Sequence, residues 1–123
     1  MAVEGRLRVL LVEDEALVAM LIEDALLELD CDVVLTAARL DHAMDAAARD
    51  SFDLAILDVN LAGEMTYPVA RVLSTRAIPF IFVTGYGASG LDPEYAGCAV
   101  LQKPFRRKDL AAALSLALRP ARE

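Results

Sequence analysis

Val9-Leu10-Leu11-Val12-Glu13-Asp14, residues 9–14, is an unbroken apolar run that ends abruptly in two carboxylates. Such a run suits a parallel strand covered by helices on both faces, because a strand with one wet face alternates apolar and polar residues. Working outward, strand-like segments are expected at residues 7–12, 33–35, 54–57, 79–83 and 99–101, with Phe80-Ile81-Phe82-Val83 as apolar as the first. Helical patterns fill the spaces between them. The chain therefore has a (βα)5 rhythm, which predicts an α/β fold with a doubly wound parallel sheet.

The first helix is expected to bury Val18, Leu21, Ile22, Ala25 and Leu29, with Glu15, Glu23 and Glu28 pointing elsewhere. The second presents Leu40, Ala43, Met44 and Ala47. The last presents Leu110, Ala113, Leu114, Ala117 and Leu118 and stops before Pro120, while Thr66 and Pro68 are start signals for a third. Beyond its core stripe the last helix carries Ala111, Ala112, Ser115 and Leu116, an apolar face for solvent. Residues 85–97 break the rhythm, because Gly85, Gly87, Gly90, Pro93 and Gly97 crowd the place of a fourth helix. That helix is expected to be short, mobile or absent.

The 123 residues allow one domain with a core, so a single domain over 1–123 without an output module is expected. No apolar stretch approaches the roughly 20 residues of a membrane span, and the start lacks the pattern of a secretion signal. A soluble, cytoplasmic protein is expected. Acidic residues outnumber basic ones 19 to 12, for a net charge of -7, which repels nucleic-acid phosphates and excludes direct DNA binding as a function class. Cys31 and Cys98 have no metal-ligand spacing and read as reduced thiols. His42, the only histidine, reads as a solvated helix residue.

In a doubly wound sheet, ligands bind beyond the carboxyl ends of the strands. Glu13 and Asp14 follow the first strand, Asp58 ends the third, Thr84 ends the fourth and Lys103 follows the fifth. Three carboxylates at one rim repel one another unless a cation or bound protons neutralise them. Mg²⁺ suits such a site, since it takes oxygen ligands and is completed by waters and phosphate oxygens. Lys103 and Thr84 then offer a positive charge and a hydroxyl donor to a phosphoryl group. Asp58 is best placed as the nucleophile that forms an acyl phosphate. Gly85 to Gly90 also fits Gly-x-Gly-x-x-Gly, but Pro93 interrupts the helix that a dinucleotide site requires, and Lys103 stands where an acidic residue should meet the ribose.

The motifs Val12-Glu13-Asp14-Glu15, Ile56-Leu57-Asp58-Val59-Asn60, Val83-Thr84-Gly85 and Gln102-Lys103-Pro104-Phe105 resemble, in this order, the receiver domains of response regulators in two-component systems. The resemblance implies a flavodoxin-like fold with strand order 2-1-3-4-5. It makes Asp58 the phosphoacceptor, Asp14 a direct Mg²⁺ ligand, Glu13 the holder of metal water, and Asn60 a ligand through its backbone carbonyl. Thr84 becomes the switch hydroxyl, Lys103 its phosphate-pairing partner, and the Lys103-Pro104 bond cis. With Cys31 and Cys98 then on opposite edges of the sheet, a disulfide is excluded.

Two departures matter. Val100 occupies the place of the aromatic residue that usually swings inward with the threonine, and Ala62 replaces a proline common after the phosphoacceptor. The run Pro79-Phe80-Ile81-Phe82-Val83-Thr84-Gly85-Tyr86-Gly87 resembles the Phe-Ala-Thr-Gly-x-Tyr type of single-domain receivers, which lack that toggle and form the fourth helix poorly.

The expected function is that of a signalling phosphoacceptor and not an enzyme. A histidine kinase or histidine phosphotransfer protein phosphorylates Asp58, and the altered surface serves partner binding, relay or a phosphate sink, the protein itself being a monomer or weak dimer. The alternatives are an aspartyl-phosphate phosphatase-like enzyme, which needs a second acid where Asn60 stands, and a constitutive interaction module, which has no use for the acidic and lysine set.

Overall fold

The computed structural model of the protein describes residues 6–85 and 91–119. Five parallel strands, β1 (Leu7–Val12), β2 (Cys31–Ala37), β3 (Leu54–Asp58), β6 (Phe80–Thr84) and β7 (Ala99–Gln102), form one sheet in the order β2-β1-β3-β6-β7. Counted among these five, that is 2-1-3-4-5, as the resemblance implies. The chain leaves β1 for the edge and returns to the other side of β1 at β3, so a crevice opens beyond the ends of β1 and β3.

The unbroken apolar runs have a simple cause. Alternate residues of β1 point to opposite faces, and both faces are covered: Leu10 and Val12 join one core cluster, Val9 and Leu11 the other. Helices α2 (Leu40–Arg49) and α3 (Tyr67–Thr75) cover the first face with Ala43, Ala47, Val69 and Leu73. Helices α1 (Ala16–Glu28) and α4 (Arg107–Ala117) cover the second with Ile22, Leu26, Leu110 and Leu114. No helix among the described residues is long and apolar enough to cross a membrane.

One residue of the stripe expected for α1 needs correction: Ile22 is buried and Val18, Ala25 and Leu29 pack against the same core, but Leu21 does not. Ala19, Ile22 and Leu26 are its buried residues, while Leu21 is 57% exposed and Leu17, Met20 and Leu27 are exposed beside it. Residues 16–22 are apolar without a break, so their periodicity selects no single face, and the sheet covers only one. On α4, Leu118 lies beyond the helix end and is exposed, as is Leu116.

Between β3 and α3 the chain makes a small hairpin that its sequence pattern did not announce. The two-residue strands β4 (Asn60–Leu61) and β5 (Glu64–Met65) pair antiparallel around Ala62 and Gly63, whose φ angles are 52° and 92°. A two-residue hairpin loop with both φ values positive is the type I′ arrangement. Asn60 Oδ1 accepts the Gly63 amide at 2.8 Å and braces the turn.

Where a fourth helix could stand between β6 and β7, the described residues form only a three-residue 3-10 turn, Pro93–Tyr95. The glycine-rich pattern over residues 86–90 lies outside the described residues. Cys31 and Cys98 are free thiols, one opening β2 at one edge of the sheet and the other preceding β7 at the opposite edge.

Candidate functional site

The carboxyl ends of β1, β3, β6 and β7 bring the polar residues to one rim. Glu13 and Asp14 leave β1 directly, and the Glu13 amide donates to the Ala37 carbonyl, which extends the β1–β2 pairing one step past the strand. Asp58 is the last residue of β3 and faces Val83 on β6, so Thr84 stands one residue beyond its rung. The Lys103 amide donates to the Thr84 carbonyl at 2.9 Å, which fixes the start of the β7–α4 loop, and the Lys103-Pro104 bond is cis.

Glu13, Asp14 and Asp58 each offer a carboxylate oxygen within 4.8 Å of the others. Glu13 is only 2% exposed and Asp58 7%, while Asp14 is open to solvent. Lys103 reaches into this group: its Nζ lies 3.5 Å from Asp58 Oδ2, 3.5 Å from Glu15 Oε1 and 3.7 Å from Glu13 Oε1. One ammonium therefore faces several carboxylates, which leaves negative charge in a half-buried place.

The ionisation of these groups follows. Burial pushes the Glu13 carboxyl up to about 7; the Glu15 amide on Oε2 opposes this, and the Asp58 charge adds to it. Burial also raises Asp58, with Lys103 acting against the rise. For Lys103, burial works to lower the ammonium, but Asp58, Glu13 and Glu15 together outweigh it and raise it. The lysine stays charged and the buried acids resist ionising together.

A hard divalent cation fits these residues. Glu13 Oε1 is a buried oxygen without a hydrogen-bond partner, and the donors are all carboxylate oxygens of the kind Mg²⁺ takes. Asn60 opens the hairpin two residues after Asp58.

The structure thus assembles Glu13, Asp14, Asp58 and Lys103, with Thr84 buried on the adjoining strand end. Two further residues escape the sequence reading. Glu15, assigned only to the outer side of α1, pairs with Lys103 and binds Glu13 through its amide. Thr66, read as a helix start, sends its hydroxyl to the Asp58 carbonyl at 2.6 Å and leaves α3 without a side-chain cap.

The model of the response regulator receiver domain matches residues 9–115. The solution structure of SdrG from Sphingomonas melonis Fr1 superposes with a TM-score of 0.85 at 41% identity, covering 95% of this chain and all of that one. Its BeF3-activated conformation, described from Pseudomonas melonis Fr1, gives 0.79 over 94% and 99%. The receiver domain of the Erythrobacter litoralis PhyR response regulator gives 0.76 at 30% identity over 97% and 98%. The transcriptional regulatory protein PdtaR of Mycobacterium tuberculosis is 32% identical over 94% of this chain and 58% of its own length, so the chain spans little more than half of that relative.

Proposed function

Because the chain belongs to the response regulator receiver family, whose domains are signalling phosphoacceptors with an acidic Mg²⁺ pocket, we propose that Asp58 accepts a phosphoryl group from a histidine kinase or histidine phosphotransfer protein. The observation that carries this reading is the position of Asp58: a strand-end carboxylate, 7% exposed, between two further acids and the Lys103 ammonium.

In the transfer, an Asp58 carboxylate oxygen attacks phosphorus, the P–N bond of the donor phosphoimidazole breaks, and the ring nitrogen leaves with the electron pair. Glu13, Asp14, Asp58 and the Asn60 carbonyl would hold Mg²⁺, which when bound would supply positive charge to the phosphoryl oxygens. Lys103, whose Nζ lies beside Asp58 Oδ2, supplies a second positive charge, and Thr84 a hydroxyl that turns towards the new phosphate and alters the surface after β6. That surface serves a protein partner, a relay or a phosphate sink. The chain acts as one receiver unit in the cytoplasm. A phosphatase-like reading gains nothing from the site, since Asn60 spends its side-chain oxygen on the Gly63 amide inside the hairpin.

Beryllofluoride, a mimic of the phosphoryl group, tests the reading. It is expected to bind only in the presence of Mg²⁺ and not to Asp58→Asn, observed by amide shifts at the rim. Equal binding by Asp58→Asn and wild type removes Asp58 from the role.

A further inference from the structure

Thr66 is one of only four buried polar or charged residues among those described, and the other three, Glu13, Asp58 and Thr84, all stand at the acidic rim. Its exposure is 0%. A buried hydroxyl needs a partner, and the obvious one, the start of α3, is not used. Instead Oγ1 donates to the Asp58 carbonyl at 2.6 Å, with the Val59 carbonyl further away at 3.3 Å. The Thr66 amide takes the Val59 carbonyl at 2.9 Å. Its own carbonyl accepts from Val69 and Ala70 as α3 begins. Thr66 therefore closes the hairpin back on the two peptide units that leave Asp58, and joins that closure to a helix.

The bond matters because of what lies inside the closed loop. A hydroxyl has one proton, and the short contact gives it to the Asp58 carbonyl, which fixes the plane of the peptide between Asp58 and Val59. That plane sets the direction of the Asp58 side chain on one side and of the chain leading to Asn60 on the other. The Ala62–Gly63 turn and the Asn60 brace close the far end of the loop. We infer that Thr66 is a positioning residue: through the Asp58 carbonyl it holds the phosphoacceptor and the Asn60 peptide in one fixed relation for the metal and phosphoryl group. The inference rests on the receiver reading above and adds a residue to it.

Thr66→Val keeps the shape and deletes the hydroxyl, and Thr66→Ser keeps the hydroxyl and deletes the methyl. Mg²⁺ titration, followed by amide shifts, is expected to show about tenfold weaker binding in Thr66→Val, about the effect of one buried hydrogen bond. Beryllofluoride binding is expected to weaken in parallel, with both restored to within about twofold of wild type in Thr66→Ser. Thermal unfolding separates this from a merely structural role, which lowers the melting temperature of both variants and leaves the Mg²⁺ affinity of folded protein unchanged. Wild-type affinity in Thr66→Val overturns the inference. So does failure of Thr66→Ser to recover it, and this second result decides the matter even where Thr66→Val does not fold. Should wild type itself bind neither Mg²⁺ nor beryllofluoride, the receiver reading falls first and the role of Thr66 with it.

Discussion

At the ends of β1, β3 and β7, three carboxylates and one ammonium crowd into a half-buried rim. On the α3 side of β6, four aromatic rings pack together with no charge among them. Tyr67 stacks on Tyr95 with centroids 5.3 Å apart and meets Phe82 edge-on at 5.6 Å, while Phe80 and Tyr95 each meet Phe82 edge-on at 5.4 Å. The two regions are neighbours built on opposed physics. The rim carries an electrostatic cost that protons or a cation relieve, so its state depends on pH and ligand. The aromatic cluster packs without a charged group, so its packing calls for no cation, and it fastens residues 91–95 to α3 and β6. Substitutions in the two regions should therefore be separable in what they alter.

The largest effect should come from the cluster. Tyr95 is buried and touches three other rings, so Tyr95→Ala should cost about 3–4 kcal/mol of folding stability in chemical denaturation. The Mg²⁺ affinity of the folded fraction should stay within a few-fold of wild type. A collapse of metal binding in the folded variant would show that the regions are coupled.

Next comes the rim lysine. Lys103→Met removes the cation beside Asp58, Glu13 and Glu15 and should weaken beryllofluoride binding about 100-fold, equivalent to about 2.7 kcal/mol. Denaturation should barely register any change in the aromatic cluster. If instead the affinity stays at the wild-type level, Lys103 does not face the phosphoryl group.

The pH dependence of the rim has a definite sign. Folding raises Glu13 from 4.5 to about 7, so the folded protein holds that proton more tightly than the unfolded chain. Without metal, stability should be insensitive to this group below pH 4.5, fall as pH climbs to about 7, and stay level above that. Asp58, also raised, acts in the same direction. Glu13→Gln should recover roughly 2–3 kcal/mol at pH 8 and remove most of the slope, since each pK unit is worth about 1.4 kcal/mol. The same variant should bind Mg²⁺ more weakly. A flat stability curve for wild type, measured without metal, refutes the strained rim.

The rim was far more legible in the sequence than the cluster. Glu13, Asp14 and Asp58 stand at the ends of apolar runs and Lys103 one residue past another, so a doubly wound parallel sheet brings them to one rim, and the resemblance to receiver domains supplies the strand order that makes them neighbours. Tyr67 and Tyr95 have no such marker. Each is an isolated aromatic, one opening a helix and one in a 3-10 turn, with no period to reveal a shared core. Val100 has no aromatic ring, and the structure packs it against the same cluster as Tyr67 and Tyr95 and pairs it with Phe82, which its own sequence neighbours do not reveal. Thr66 was hidden for another reason. A threonine before Tyr-Pro is a fair helix cap, and only the type I′ hairpin turns its hydroxyl back to Asp58.

The smallest expected effect probes the seam between the two regions. Tyr67 directly follows Thr66, so the residue that grips the Asp58 carbonyl is joined by one peptide bond to the residue that grips the segment before β7. Tyr67 does so twice, by stacking on Tyr95 and by accepting the Asp92 amide on its hydroxyl at 2.8 Å. Tyr67→Phe keeps the stack and deletes the acceptor. Because Asp92 is exposed, water can take the freed amide, and the cost should be only about 0.5–1 kcal/mol. Hydrogen exchange should read it locally, as faster exchange at the Asp92 amide with the β1 and β3 amides unchanged. If exchange at Asp92 stays as slow as in wild type, the hydroxyl is not what ties this segment to α3, and the stacked rings alone hold it.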